Sequence, residues 1–143
     1  MSDGGMREIL VHGSTDEGFD SSVLFARRMA ESFTAKLHVL YTVDEPLSAG
    51  WTAEVGAERL PEVHAAIEAE ARERLAAVIS LEEQERLGVE FVLRIGPAAD
   101  ELVRYTNEQK IDLAIVHARG DEAAIDHAHA LLEGGRCAVL VLR

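Results

Sequence analysis

Residues 8–12 read Glu-Ile-Leu-Val-His and form the first of several short apolar runs in the chain. Similar runs follow at 37–43, 89–95, 112–117 and 137–142, and most of them are continuous rather than alternating in apolar character. Continuous apolar runs are typical of strands that are buried on both faces, as in parallel sheets. The sequence therefore predicts five strands of a parallel sheet.

Segments with helical periodicity separate these strands, because apolar residues recur there at steps of three and four. The predicted helices are 20–33, 58–81, 97–109 and 121–133. Asp20 or Ser21 is predicted to cap the first helix. Strands that alternate with helices require right-handed crossovers, which give an open parallel sheet with helices on both faces. We therefore predict a three-layer α/β fold.

The chain of 143 residues has the length of one domain, and it contains no internal repeat or linker. We predict a single domain over residues 1–143 with its core at 7–142 and a disordered start at 1–5. The longest irregular piece is 44–57, and loops of that length are usually mobile lids or disordered connections.

Acidic residues outnumber basic ones by 26 to 14, which gives a formal net charge of −12. Nucleic-acid binding requires clustered Lys and Arg, whereas this chain has only Lys36 and Lys110 as lysines, and most of its arginines are interleaved with glutamates. We therefore expect no nucleic-acid partner and interpret the charged faces as solvated surface.

The single Cys137 excludes an internal disulfide framework and indicates a reducing compartment. No apolar run approaches the ~20 residues that span a bilayer. The first residues, Met-Ser-Asp-Gly-Gly, lack the apolar core of a signal peptide. These features predict a cytoplasmic protein without a membrane partner.

Ligands of such sheets bind at the carboxyl ends of the strands, where the strand order reverses. The loop after the first strand has two glycines at the spacing of a phosphate-binding loop, but Phe19 stands where the lysine is required. A turn that leads into the first helix is the alternative interpretation. In the loop after the fourth strand, Arg119 could supply a positive charge and Gly120 would let the backbone approach a phosphate. Asp121 and Glu122 follow directly and would repel a polyphosphate. The candidate ligand-binding residues are Gly13, Ser14, Thr15, Arg119 and Gly120.

His12 and His117 end the first and fourth predicted strands and are weak candidates for a metal site. A third ligand such as Asp16 or Asp121 would have to join them, and the spacing matches no zinc signature. The sequence also carries no catalytic signature, because Cys137 has no evident activating base and no nucleophile-elbow motif occurs. We predict no metal and no catalytic residues.

Five blocks of the sequence resemble the universal stress protein family in their order and spacing. The blocks are 8–11, 35–40, 96–102, 111–116 and 137–141. This resemblance implies a Rossmann-like fold of the adenine nucleotide alpha hydrolase type, with sheet order 3-2-1-4-5. It also implies a homodimer formed along the last strand, 137–142. Independently, an apolar strand near the end of the chain is expected at a sheet edge, where unpaired amides seek a partner.

The departures from the family pattern concern nucleotide binding. Nucleotide-binding members carry an aspartate after the first strand, and after the fourth strand a Gly-x-x-Gly followed nine residues later by Gly-Ser/Thr. Here Ser14 falls near the aspartate position, His117 replaces the first glycine, and only Gly120 matches. The sequence is therefore similar to the branch that does not bind ATP.

The leading hypothesis is a non-catalytic cytoplasmic homodimer that acts in stress response through association with unidentified proteins, without a cofactor. A regulatory protein that binds ATP or AMP through a degenerate phosphate loop is the alternative, and slow ATP hydrolysis stays open. Metal binding through His12 and His117 is a weaker alternative.

Overall fold

The computed structural model describes residues 5–14, 18–43, 60–117 and 122–143. The strands are β1 (Glu8–Gly13), β2 (Lys36–Val43), β3 (Glu90–Ile95), β4 (Leu113–His117) and β5 (Ala138–Leu142). The helices are α1 (Phe19–Phe33), α2 (Leu60–Val78), α3 (Leu81–Leu87), α4 (Ala98–Glu108) and α5 (Glu122–Gly134). The interpretation of 44–57 as a lid or disordered connection lies outside the described residues, and so do residues 1–4 of the segment 1–5 that was predicted to be disordered.

All strand pairs are parallel, and the sheet order is β3-β2-β1-β4-β5. The predicted α/β fold and strand order are thereby confirmed, and each strand matches its predicted range to within one residue at either end. The central strand β1 pairs with β2 from Glu8 onward and with β4 from Ile9 onward. At the entry to β1, the carboxylate of Asp112 accepts hydrogen bonds from the amides of Arg7 and Glu8, both at 2.9 Å, which fixes the start of β1 beside β4.

Two layers of helices cover the sheet, and we name the two sides after them. On the α1 face, α1 and α2 pack their apolar side chains against the sheet, and the core formed there includes Ile9, Val11 and Leu75. On the α4 face, α4 and α5 pack in the same way and form a second core that includes Leu10 and Leu102. Successive residues of a strand point to opposite faces, so each continuous apolar run fills both cores at once.

The helix predicted at 58–81 ends too late, because α2 ends at Val78 and Leu81 already begins a separate helix, α3. Ser80 has an extended backbone, with φ −58° and ψ 157°, and its Oγ accepts the amide of Glu83 at 3.2 Å. A serine followed three residues later by a glutamate is the capping-box pattern, which starts a new helix. Arg27 of α1 forms an ion pair with Glu83 and so ties α3 to α1.

The predicted cap of the first helix is also wrong. Gly18 is the N-cap of α1, without a side-chain cap, and Asp20 and Ser21 lie inside the first turn. The Ser21 hydroxyl donates to the carbonyl of Gly18 at 3.2 Å instead of capping a free amide. Within the described residues, no helix combines the length and apolar character needed to cross a membrane.

We predict that Ser80→Ala lowers the free energy of unfolding by about 1 kcal/mol, the usual cost of losing a helix cap. Denaturant unfolding followed by circular dichroism measures this change. Ser32→Ala is the matched control, because Ser32 is exposed within α1 and alanine favours helix there. An equal effect of the two substitutions would show that the Ser80 cap does not stabilise the fold.

Candidate functional site

The sheet order reverses between β1 and β4, whose carboxyl ends bound the crevice in which ligands of such folds bind. Of the five candidate residues, Gly13 and Ser14 lie here, at the end of β1. Thr15, Arg119 and Gly120 lie outside the described residues. The described walls of the crevice are therefore the end of β1 and the last residue of β4.

Gly13 is required by aromatic packing beneath the crevice. A Cβ at this position would lie 2.5 Å from Cδ1 of Phe19 and 3.5 Å from the ring of Tyr41. These two rings meet edge to face, with their centroids 5.7 Å apart. The described contacts of Gly13 are thus with the α1-face core, which explains this glycine without a phosphate ligand.

Gly18 is explained in the same way by His117. A Cβ at Gly18 would lie 2.4 Å from Cε1 and 2.5 Å from Nδ1 of the buried His117 ring. The imidazole at the end of β4 therefore packs directly against the N-terminus of α1. The two glycines that suggested a phosphate loop both make room for rings.

Arg74 of α2 is a residue that sequence reasoning missed. Its Nη1 donates to the carbonyl of Ser14 at 3.1 Å, and its guanidinium carbon lies 4.7 Å from the centre of the Phe19 ring. Its Nε is 3.6 Å from a carboxylate oxygen of Asp20. Arg74 thus holds both ends of the segment that joins β1 to α1. Its place beside the apolar stripe of α2 was the available signal, because an arginine there can bury its stem against neighbouring elements.

His12 and His117 do not come together as metal ligands, because they point to opposite faces of the sheet. His12 lies on the α4 face, where its Nε2 hydrogen-bonds Thr42 Oγ1 at 2.7 Å and its ring meets that of His127 at 5.1 Å between centroids. His117 lies on the α1 face, against Gly18. In the part of the chain that the structure describes, no three His, Cys, Asp or Glu side chains are grouped so that they could hold a metal ion.

A second polar cluster lies on the α4 face at the other end of the strands, and sequence reasoning did not identify it. His38 Nδ1 is 2.7 Å from the hydroxyl of Tyr105, and His38 Nε2 is 2.7 Å from a carboxylate oxygen of Glu8. The Tyr105 hydroxyl is 3.4 Å from Glu90 Oε2, while Lys36 Nζ donates to Glu90 Oε1 at 2.9 Å. Register could have suggested this cluster, because His38 stands directly beside Glu90 in the sheet.

Burial and hydrogen bonding shift the pKa values of three groups in and around this cluster. Burial raises the pKa of the Tyr105 phenol well above its usual value, and the nearby Glu90 carboxylate adds to the effect. The hydrogen bond from Lys36 lowers the pKa of the Glu90 carboxyl, and the same bond raises the pKa of Lys36. Both partners of the Lys36–Glu90 pair are therefore charged at neutral pH. Just before β5, burial raises the pKa of the Cys137 thiol, which disfavours the reactive thiolate.

A cavity of about 530 Å³ lies away from the crevice, where the end of α1 approaches the end of α3 and the start of β2. Its charged lining residues are Glu31, Lys36, Glu85 and Arg86. Because Lys36 is the first residue of β2, this cavity is at the amino edge of the sheet, opposite the predicted site.

We predict that Gly18→Ala destabilises the fold by about 1–3 kcal/mol, because the new methyl group must displace the His117 ring from a packed position. Denaturant unfolding measures the loss, and the His117 imidazole resonances should shift with it. Gly5→Ala is the control, since a Cβ there meets nothing within 4 Å. Unchanged stability and unchanged His117 resonances in Gly18→Ala would contradict this packing.

The chain is similar in fold to several solved universal stress proteins. It superposes on UspA from Lactobacillus plantarum with a TM-score of 0.73 at 20% identity, over 99% of this chain and 100% of that one. A universal stress protein in complex with cAMP gives a TM-score of 0.62 at 19% identity, over 96% of both chains. The Archaeoglobus fulgidus universal stress protein in complex with dAMP gives 0.58 at 13% identity, over 96% and 98%.

At these identities the superpositions show a common fold, and comparison with curated protein sequences finds no match. Family membership rests on a separate comparison. The model of the universal stress protein family matches residues 6–143, nearly the whole sequence. The chain therefore belongs to the universal stress protein family.

Proposed function

We propose that this protein acts in the stress response as a non-catalytic homodimer, in which two copies join along β5 and associate with other proteins. The observation that carries the proposal is the open edge of β5. Among the residues that the structure describes, this strand ends the sheet, pairs with β4 alone, and is the least buried of the five strands. Unpaired amides and carbonyls on such an edge favour pairing with another strand.

Apolar side chains continue from the β5 edge onto its surroundings. Val141 is 40% exposed on the α4 face of β5, and Leu132 is exposed on the neighbouring helix α5. On the α1 face, Phe25 and Phe33 are exposed on the flank of α1 opposite the one that contacts α2 and α3. The α4 face beside β5 thus offers apolar surface that a second copy would cover, and α1 offers further exposed apolar side chains on the α1 face.

A two-fold axis through the edge would place the two β5 strands antiparallel, so that each copy offers the same surface to the other. Such pairing gives a continuous ten-stranded sheet, because each copy contributes its five strands. A non-catalytic role is supported by the polar contacts at the crevice, which join protein groups to each other. Arg74 contacts Ser14 and Asp20. His12 hydrogen-bonds Thr42.

We expect wild-type protein to sediment with twice the chain mass of 15.6 kDa at micromolar concentration. Val141→Lys should give monomers at the same concentration, because it places a lysine on the edge strand and repeats that charge across the two-fold axis. Analytical ultracentrifugation measures this, with circular dichroism to verify folding.

Leu81→Lys is the matched control, because Leu81 is 72% exposed at the start of α3, on the side of α1 away from β5. It should remain dimeric. A monomeric wild type, or a dimer that Val141→Lys leaves intact while it stays folded, would contradict the proposed interface.

Regulatory binding of an adenine nucleotide is the second candidate function, and two observations favour it. Structural neighbours with the same fold are in complex with cAMP and with dAMP. The sequence places Gly13, Ser14 and Thr15 after β1, and Arg119 and Gly120 after β4, at the two sides of the corresponding crevice. The acidic residues that flank both segments would disfavour a triphosphate relative to a monophosphate.

If this second function is correct, AMP or cAMP should raise the melting temperature saturably and ATP should do so less. A ligand at 100 times its dissociation constant stabilises a protein by about 2.7 kcal/mol. A thermal-shift titration of the full chain measures this, with GMP and pyrophosphate as controls for base and phosphate recognition. No shift at millimolar AMP, cAMP or ATP would eliminate the nucleotide candidate.

A further inference from the structure

Four side chains form a continuous hydrogen-bonded row at the amino-terminal ends of three strands, and we name it the His38 chain. In order, it consists of Glu8 of β1, His38 of β2, Tyr105 of α4 and Glu90 of β3. His38 and Tyr105 are each only 1% exposed, whereas both glutamates are partly exposed. The row lies at the opposite end of the sheet from the crevice, so it is separate from the proposed nucleotide site.

The number of protons available to this row decides which of its hydrogen bonds can form. A glutamate carboxylate offers only acceptors, and a phenol has one proton to donate. With Nε2–H of His38 donating to Glu8, a neutral imidazole leaves Nδ1 as an acceptor, so the Tyr105 hydroxyl donates to it. Glu90 Oε2 then receives nothing from Tyr105. With a proton on both ring nitrogens, Nδ1–H donates to the Tyr105 oxygen, and the phenol proton turns to Glu90.

We propose that a proton gained or lost by His38 switches the chain between these two arrangements, so that acidification joins α4 to β3 through Tyr105. The two distances at the Tyr105 hydroxyl are compatible with both arrangements. The contact between His38 and Tyr105 is short, at 2.7 Å, and the one between Tyr105 and Glu90 is at the long limit for a hydrogen bond, at 3.4 Å. In the acidic arrangement a charged donor and a charged acceptor flank the phenol, which strengthens and shortens both of its bonds.

Several charged groups surround the His38 chain. The carboxylates of Glu8 and Glu90 lie at the two ends of the row. The ammonium group of Lys36 forms an ion pair with the Glu90 carboxylate on its solvent-exposed side. On the other side, the guanidinium carbon of Arg94 lies 5.6 Å from the centre of the Tyr105 ring. Charges of both signs therefore lie around the row.

Arg94 is in turn held by acidic residues of α4, so the charges around the row include those of that helix. Its guanidinium nitrogens are 3.5 Å from Glu101 and 3.7 Å from Glu108. The switch therefore involves groups from all four elements that meet at this edge, namely β1, β2, β3 and α4.

Nitrogen-15 NMR of the histidine-labelled full chain tests the proposal between about pH 5 and pH 8, the interval in which imidazoles usually titrate. We expect both His38 nitrogens to be protonated at the acidic end and only Nε2 at the alkaline end. The Glu90 carboxyl carbon should shift in step with His38. Because Lys36 lowers the pKa of the Glu90 carboxyl, a change in the Glu90 resonance over this interval reports the change at His38 rather than titration of Glu90 itself.

A single protonation state of His38 across this range would overturn the proposal, and so would an Nδ1–H tautomer at the alkaline end. Tyr105→Phe then isolates the relay, since it keeps the ring and removes only the hydroxyl. In this variant the pH-linked shift of Glu90 should be lost while that of Glu8 persists. An unchanged Glu90 response would overturn the relay.

His12 is the internal control, because it is another buried imidazole of the α4 face but bonds to Thr42 at the far end of the strands. Its resonances should be the same in wild type and Tyr105→Phe. If the variant does not fold, the tautomer measurement on the wild type still decides the proposal by itself.

Discussion

The burial of β1 on both of its faces and along both of its edges is the constraint on which the rest of the molecule depends. Ile9 and Val11 pack under α1, and Leu10 packs under α4, all three with no exposed surface. Burying one such side chain stabilises a fold by about 1.5–3 kcal/mol, so neither helical layer can leave the sheet without a large loss. Polar side chains are therefore confined to the two ends of this strand, at Glu8 and His12.

Much of this architecture is predictable from the sequence, because continuous apolar runs have few alternatives to a two-sided parallel sheet. The α2–α3 break is different, since helical spacing continues through Leu75, Val78 and Ile79 and hides it. Only the capping pattern that begins at Ser80 marks the break, and a cap worth about 1 kcal/mol is a weak signal beside a long apolar stripe. The first helix shows the same limit, because Gly18 starts it for reasons of packing that no local pattern displays.

The crevice was the part least accessible to sequence reasoning. Spacing alone made Gly13 and Gly18 resemble a phosphate loop, whereas the shapes of Phe19 and the ring of His117 explain both residues. Arg74 escaped notice because its partner at Ser14 lies 60 positions away in the sequence. Arg74 also shows that the arginines of this acidic chain are not all part of solvated helix faces, because this one binds the two ends of the segment between β1 and α1.

The two faces of the sheet differ in where they place polar groups. Strand alternation puts His12 and His38 on the α4 face, one at each end of an apolar centre that contains Leu10 and Leu40. A buried polar group destabilises a fold unless it is hydrogen-bonded, so each of these imidazoles requires partners from another element. Through His38 and Tyr105, α4 is thereby linked to the strands by bonds whose number depends on protons. Apolar packing has no such dependence and dominates the α1 face, where the buried imidazole of His117 lies at one end, against Gly18. The hydrogen-bonded chain through His38 is the proton-dependent link of the α4 face.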